Sequence, residues 1–438
     1  MISQTDFKGL RTDRGQKFIG PEYFYDIRNF NFDDLIGCNK ILFPQVVFNG
    51  SSSHSIDGLF EYSYLNSNNV LVMEPIGAYN GTIYTKFLST AVPIQSGQTP
   101  GIYSFAVFND KLFMSNGKDY PLIYDGQLVW QMGAPRATVS SDIGNPNGTY
   151  YYAITYVTDG GEEYIGTVSN TVSTVSHKIN LVLPIGYTGT TSRKIYRTAA
   201  GGSQLKLLAT IANNSTLTYT DNVADGSLGA DIIAVNNECP KPYFLEVSHE
   251  RLIGTVFDEF PTQIQITDAE IEVWDAANYT DISNTSKDNS AIQGMALDYD
   301  LIVVGTSKDI YTVDVSATVP QVVRTRANVG VKSGYSMATV PSNDDFPGGV
   351  VFVSTLDDIR IFNGNFNQPV ATSLDNLKTD NFSQVIRPNL IYELSIYSPY
   401  IFGRFYQYKY HLILNDKVYV FDIRKGEAGG WTIYKIET

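Results

Sequence analysis

Cysteine is nearly absent from this chain: Cys38 and Cys239 are the two among 438 residues. Two thiols so far apart make neither a disulfide framework nor a zinc site, and each reads as a small apolar core or loop residue. The four histidines, His54, His177, His249 and His411, are scattered without the spacing of metal ligands. Basic charge is also short. Lys and Arg number 31 against 45 Asp and Glu, for a net charge of −14. That balance argues against sequence-specific recognition of DNA or RNA by the free protein. An acidic surface does suit a wall that DNA must slide past, and it also simply keeps a protein in solution. No apolar run approaches the roughly 18 residues of a spanning helix. Met1 to Gly20 lacks the apolar stretch of a signal peptide, so the expectation is a soluble protein made in a cytoplasm.

Catalytic signatures are missing as well. There is no metalloprotease helix motif, P-loop, Gly-x-Ser-x-Gly elbow or dinucleotide fingerprint. Carboxylates neighbour one another at Asp33-Asp34, Asp344-Asp345 and Asp357-Asp358, and Asp298 stands beside Tyr299 and Asp300. A glycosidase needs an acid and a base or nucleophile facing each other. Adjacent residues of a strand point to opposite sides. All four sets fall at expected turns, where Asp caps backbone groups. Asp221 and Asp225 at Gly226, or Asp298 and Asp300, carry oxygens of the kind calcium takes, but turn capping accounts for both. Phe405-Tyr406 with Tyr408 and Tyr410, and Tyr397 with Tyr400, offer rings for a sugar or a partner; alternation points instead to core packing. The reading assigns no catalytic, cofactor-binding or metal residue, and no enzyme activity.

What is present favours strands and turns. Tyr (30) and Phe (23) fit pleated, half-buried surfaces, Gly (36) and Pro (18) supply turns, and 43% hydrophobic residues allow a large core. Asp110 to Pro135 is the repeating plan in small. Leu112-Phe113-Met114, Leu122-Ile123-Tyr124 and Leu128-Val129-Trp130 read as short strands, separated by Asn116-Gly117 and Asp125-Gly126, both hairpin signals. Upstream, Ile56 to Tyr64 reads as a strand, and Val70 to Met73 is expected to pair with Thr82 to Tyr84 across Tyr79-Asn80-Gly81. Tyr103 to Phe108 turns at Asn109-Asp110 into the unit just described.

Composition then shifts. Residues 135–235 are rich in Thr, Ser, Gly and Asn, with strands expected at Gly148 to Val157, Lys178 to Leu183, Ser192 to Arg197, Lys206 to Ile211 and Leu217 to Asp221. So many short strands suit an inserted sandwich of fibronectin or immunoglobulin type. From 236 to 438 the first pattern resumes. Glu250 to Thr255 echoes Asp110 to Ser115, and hairpins recur at Ser307 to Asp309, Leu356 to Asp358 and Asn415-Asp416. The spacing is that of propeller blades of four short strands. The expected fold is therefore all-β: an extended segment over 1–45, a first propeller part over 46–134, the sandwich over 135–235 and a second propeller part over 236–438. Five to seven blades are expected. A short helix is allowed around Ser373 to Thr379.

Several segments resemble one family. They are Asp26-Ile27-Arg28-Asn29-Phe30 within the stretch from Gly9 to Asp34, and Tyr124-Asp125-Gly126 with Trp130 to Pro135. Ser192 to Thr198 with Tyr219-Thr220-Asp221 belong with them, as does Gly330 to Gly364 with Val353 to Ile359. In these the chain resembles the propeller-type tail hub, or DNA-stabilisation (tail nozzle-like), proteins of tailed bacteriophages. Gly37-Cys38-Asn39-Lys40 departs from the family in lacking an arginine-glycine ending, and Asp358 stands where glycine is expected. The resemblance implies a structural virion protein made in the host cytoplasm. Such a protein forms a homo-oligomeric ring with tail or portal-adaptor proteins, close to genomic DNA in the ejection channel and without a membrane span. Two other readings stay open: a receptor- or carbohydrate-binding propeller of a tail fibre or cell surface, and a propeller glycoside hydrolase.

Overall fold

The computed structural model describes residues 56–435 apart from 67, 88–89, 257–259, 286–288, 318, 326, 328, 344–347, 364–378, 382–385, 397–400, 415–416 and 426–430. Ahead of these, Gly9–Leu10 pairs in parallel with Tyr23–Phe24, and Phe30–Asn31 pairs antiparallel with Asn39–Lys40. The expected helix at Ser373 to Thr379 falls almost wholly outside the described residues; Thr379 itself opens a strand.

The fold is all-β, of the β-propeller class with an inserted sandwich. Among the described residues six four-stranded antiparallel sheets run in simple sequence order, each a blade. Blade 1 is β1 (Ile56–Leu65), β2 (Leu71–Tyr79), β3 (Thr82–Thr85) and β4 (Val92–Gln95). Blade 2 is β5 (Ser104–Phe108), β6 (Lys111–Ser115), β7 (Leu122–Tyr124) and β8 (Val129–Gln131). The sandwich follows. One sheet orders β9 (Arg136–Tyr150), β12 (Val172–Val182) and β15 (Thr218–Asp221). The other orders β11 (Gly161–Glu163), β10 (Tyr152–Thr158), β13 (Ser192–Thr198) and β14 (Leu205–Ile211). Blade 3 is β16 (Phe244–Ser248), β17 (Arg251–Thr255), β18 (Gln263–Ile266) and β19 (Tyr279–Asp281).

Residues 46–281 form one compact unit and 282–438 belong to another. The second holds blade 4, with β20 (Ile292–Asp298), β21 (Leu301–Thr306), β22 (Ile310–Asp314) and β23 (Gln321–Arg324). Blade 5 has β24 (Ala338–Val340), β25 (Gly349–Val353), β26 (Ile359–Phe362) and β27 (Thr379–Asn381). Blade 6 has β28 (Ile401–Tyr406), β29 (Lys409–Leu414), β30 (Lys417–Asp422) and β31 (Trp431–Lys435). An α-helix not expected from the sequence, α1 (Arg387–Ile396), precedes blade 6. Pro388 suits its first turn, and Leu390 and Leu394, one turn apart, enter the core shared by blades 5 and 6.

The second strands of blades 2 to 5 are buried at nearly every position. In β6, Leu112 and Met114 pack into the core with blade 1, while Phe113 faces the core shared with blade 3 and the sandwich. In β25, Val350 and Phe352 face blade 4 and Val351 and Val353 face blade 6. That is why these strands are apolar at every position rather than at alternate ones. Each such side chain contributes about 1.5–3 kcal/mol of burial.

Two expectations about strands are corrected. Gly148 to Val157 is not one strand: the chain crosses between sheets at Tyr151, so Tyr150 ends β9 and Tyr152 begins β10. Leu71 to Met73 pairs with Ser63 to Leu65, and it is Gly77 to Tyr79 that pairs with Thr82 to Tyr84.

Turn chemistry also differs from the expectation. Asn80-Gly81 is a tight hairpin with both residues left-handed, as expected. Asn116-Gly117 and Asp125-Gly126 are wider loops, in which Asn116 Oδ1 accepts from the amides of Lys118 and Asp119 and Asp125 Oδ1 from those of Gln127 and Leu128. Their glycines have φ of 74° and 88° and lie under aromatic rings from both sides. Tyr243, leading into blade 3, would meet a Cβ on Gly117 at 2.4 Å, and Tyr64 of blade 1 would meet one on Gly126 at 2.4 Å.

A Gly126→Ala substitution is therefore expected to cost about 2–3 kcal/mol, from backbone strain plus displacement of the Tyr64 ring. Gly97→Ala, also left-handed but with open space around it, should cost only about 1 kcal/mol. Equilibrium urea unfolding of the two variants checks the difference.

Candidate functional site

The carboxylates singled out from the sequence are committed to internal partners. Asp221 is fully buried. Arg197 Nη1 donates to its Oδ2 at 2.5 Å, and Tyr152 Oη donates to the same oxygen at 2.9 Å. Arg197 Nη2 donates to Asp225 Oδ1 at 2.7 Å, Nη1 reaches Val223 O at 3.0 Å, and the guanidinium lies 4.8 Å from the Tyr150 ring centre. Burial opposes the arginine's charge, but Asp221 and Asp225 outweigh it and raise its pKa. The cation between these two acids is thus a guanidinium of the chain itself.

Asp357 and Asp358 do not act as a pair either. Asp357, left-handed at the turn, binds Lys332. Asp358 is buried, accepts from Ser354 Oγ, and takes Arg360 Nε at 2.8 Å and Nη2 at 3.0 Å. The same device recurs. Asp309 pairs with Arg324 at 2.7 Å, Asp422 with Arg424 at 2.6 Å, Glu393 with Lys417, and Glu74 accepts from Tyr124 Oη at 3.0 Å. These buried carboxylates tie strands, turns and helix α1 to one another, and a desolvated charge with such a partner holds its place firmly.

Asp298 differs. It ends β20 in a buried position, and burial alone pushes its carboxyl up from 3.8 to about 6. Asp300 lies across the Tyr299 turn, and Asp298 pairs in register with Leu301. Among the described residues no group of three His, Cys, Asp or Glu could hold a metal ion. Asp33, Asp34, Asp344, Asp345, Tyr397, Tyr400, His54 and Cys38 lie outside the described residues. His177 is partly exposed and His249 exposed, whereas burial lowers the pKa of His411. Cys239 is buried and its thiol is pushed up to about 12, which makes it inert.

The sandwich is fixed to its blades by polar contacts as well as by core. Tyr156 Oη donates to Gly133 O at 2.7 Å, Thr188 N to Asp268 Oδ2 at 2.6 Å, and Asn237 Nδ2 to Glu163 Oε2 at 2.8 Å. Arg193, fully buried without a carboxylate, donates to the carbonyls of Pro184, Asn213 and Thr216. A cleft of about 50 Å³ opens here between Trp130, Arg136, Lys111, Glu272 and Pro184. Its cations are taken: Lys111 by Glu272 at 2.7 Å and Arg136 by Asp125 at 2.6 Å. The volume admits little more than a water, far below the several hundred Å³ of a small-molecule site.

Surface residues are also open to a partner. Of the flagged aromatics, Phe405 and Tyr410 turn inward, and Tyr410 Oη donates to Ser336 O at 2.7 Å; Tyr406 and Tyr408 are exposed. Sequence reading missed the larger feature. The β1–β2 hairpin runs over nine paired positions, against five in blades 2 and 3 and six in blades 4 and 6. Its outward face carries exposed Leu59, Leu65, Leu71 and Met73. The signal was there in Val70-Leu71-Val72-Met73, apolar on both faces beside a polar tip.

Two outcomes follow from the buried charges. Arg197→Met should destabilise by about 3–5 kcal/mol because Asp221 is left buried and unpaired, and adding Asp221→Leu should recover most of it; thermal and urea unfolding of the single and double variants test this. For Asp298 the folded pKa lies above the ordinary value, so the folded state holds the proton more tightly. Stability is lost as pH rises through about 4 to 6, and Asp298→Asn should gain about 2–3 kcal/mol at pH 7.5 and almost nothing at pH 3.5. Urea midpoints at the two pH values decide it.

No protein-family model and no curated protein sequence matches the chain. Among solved structures it is similar to Hsv2 of Kluyveromyces lactis, at 10% identity and a TM-score of 0.30 over 83% of this chain and 96% of that one. It is also similar to apo AztD from Citrobacter koseri, at 9% identity and a TM-score of 0.28 over 86% and 96% of the two chains. A third is the dihydro-heme d1 dehydrogenase NirN in complex with DHE, at 12% identity and a TM-score of 0.25 over 82% and 73%. At these values no ligand or activity carries over to this chain.

Proposed function

We propose that this chain is a structural component of a bacteriophage tail. In this reading it is a hub- or nozzle-like propeller that assembles with other copies and with tail or portal-adaptor proteins around the DNA channel. The observation that carries the reading is the use of its buried acids. Asp221, Asp309, Asp358, Asp422 and Glu393 are each matched by a cation of the chain. Acids so engaged hold a scaffold together; they are not poised to give or take a substrate proton. The surplus negative charge is left to the exterior, where it suits a surface that DNA passes without adhering. No helix among the described residues is long and apolar enough to cross a membrane.

One observation favours a second reading. Tyr406 and Tyr408 stand exposed at the β28–β29 turn, with Arg424 5.6 Å from the Tyr408 ring centre, and exposed tyrosines stack on sugars. Binding to a glycan array that is lost in Tyr406→Ala would move the assignment to a carbohydrate-binding propeller.

The primary test is location. Gold-labelled antibody against the chain, applied to purified tailed particles made by the genome that encodes it, should mark the tail. Particles that contain no copy of the chain by mass spectrometry would refute the assignment.

A further inference from the structure

The β28–β29 hairpin, residues 401–414, carries the opposite charge to the chain as a whole: Arg404 and Lys409 with no acid, against a net charge of −14. Successive residues of a strand face opposite ways. Ile401, Phe405, Tyr410, Leu412 and Leu414 fall on the side that joins the core of blades 5 and 6. Arg404 and Tyr406 fall on the other side, and both are exposed. Two residues along a strand span about 6.6 Å, so a cation and an open ring leave one face about a sugar ring apart.

Beyond Tyr406 the chain turns through Gln407 and Tyr408, both left-handed. Gln407 Nε2 donates to Tyr406 Oη at 3.1 Å. Arg424, itself held by Asp422 through Nε at 2.9 Å and Nη2 at 2.6 Å, lies 5.6 Å from the Tyr408 ring centre. The two rings are thus held from one side while 64% and 59% exposed, so a ligand that stacks on them has little left to order.

The cations differ in what they offer. Lys409, paired in register with Tyr406, is buried, and Arg424 is committed to Asp422. Burial lowers the pKa of His411, which stands across from Arg404, so its ring is uncharged at neutral pH. Arg404 is the exposed cation of the hairpin, and a guanidinium takes a planar carboxylate through two parallel N–H donors. A nucleic acid is disfavoured, because it asks for a row of cations along its phosphates and the rest of the chain repels it. A protein partner is disfavoured too. Interface cores are apolar around their aromatic anchors, whereas the side chains beside these two rings on the exposed side are Arg404, Gln407 and Arg424. Polar groups around an open ring suit a sugar, whose C–H face stacks while its hydroxyls form hydrogen bonds.

We propose that the tip of the β28–β29 hairpin binds an acidic sugar, with the sugar ring stacked on Tyr406 and its carboxylate held by Arg404. The inference rests on the carbohydrate reading above and names its sugar class.

An array of glycans ending in glucuronic, galacturonic or N-acetylneuraminic acid, each beside its carboxylate methyl ester, tests it on the full chain. The acids should bind at least about tenfold more tightly than their esters. Arg404→Gln should erase that preference, so that acids and esters bind alike. Tyr406→Ala should abolish binding of both, and neither variant should change the melting temperature. The preference should also shrink severalfold between about 0.05 and about 0.5 M sodium chloride, a readout that needs no variant. Equal binding of acids and esters, or an acid preference that survives Arg404→Gln, would overturn the proposal and leave the carbohydrate reading standing. An array with no bound glycan would remove both, as would binding of poly-glutamate or a single-stranded oligonucleotide in place of every glycan.

Discussion

The constraint on which the structure depends is that a second strand packed on both sides, as in blades 2 to 5, must be apolar on both of its faces. β6 and β25 each lie between two packed neighbours of their own unit and have no solvent face to spend on polar residues. β6 divides Leu112 and Met114 from Phe113, and β25 divides Val350 and Phe352 from Val351 and Val353, between two different cores. The sandwich is accommodated under the same rule. Trp130 and Met132 of the blade-2 exit, Tyr152, Tyr156 and Ile195 of the sandwich, and Leu252 and Trp274 of the blade-3 region share one core. The insert extends the interior between two adjacent blades, so the chain leaves blade 2 and returns beside it in blade 3 without a gap in packing. Leu245 N donating to Ser104 Oγ at 3.0 Å, and Ser115 Oγ to Pro242 O at 2.5 Å, stitch that return.

Charge is organised around the same need. A blade edge that ends in a turn leaves amides and carbonyls to be satisfied, and short acidic or hydroxyl side chains do this where the turn is buried. Asp309 and Asp358 sit at such turns with Thr306 and Ser354. Once the carboxylate is desolvated, an arginine or lysine nearby becomes necessary, which explains why Arg324 and Arg360 sit one strand or two residues away. The acids in the interior are thus a structural consequence of turn burial. Among the described residues buried Glu74 has the Tyr124 hydroxyl in place of a cation, and Asp298 has neither, so burial alone raises its pKa.

This architecture was partly legible in the sequence. Runs such as Val350-Val351-Phe352-Val353 and Ile302-Val303-Val304 announced strands buried on both sides, and the likeness of Asp110 to Ser115 with Glu250 to Thr255 marked equivalent positions: Asp110 and Glu250 are both left-handed, with φ of 58°. The break at Tyr151 was not legible, because alternation continues unbroken through Tyr150-Tyr151-Tyr152 while the chain changes sheets. Helix α1 was missed because, among its described residues, Leu390 and Leu394 alone make its buried side apolar and Glu393 is buried beside them, too short a period to register. For the candidate surface, the sequence showed that Val70 to Met73 is apolar throughout. It did not show that only one face has a neighbour, because that depends on the β1–β2 hairpin outrunning the adjoining blade.

The turns show most clearly why local signals mislead here. Asn-Gly and Asp-Gly were read as the tight hairpins, yet the tight left-handed pairs of blades 2, 3 and 6 are Asn109-Asp110, His249-Glu250 and Gln407-Tyr408, all without glycine. Each non-glycine residue there costs roughly 1–2 kcal/mol of backbone strain. The side chains offset part of it. Asn109 Nδ2 donates to Glu270 O at 3.0 Å and to Glu272 Oε1 at 3.2 Å, His249 Nδ1 contacts Ser248 Oγ at 2.9 Å, and the Tyr408 ring lies beneath Arg424. Glycine would relax the backbone and lose these links, whereas at 117 and 126 a side chain would collide with a neighbouring tyrosine. Gly117 and Gly126 thus leave room for a neighbouring ring, while the turns at 109–110, 249–250 and 407–408 use side chains that reach across.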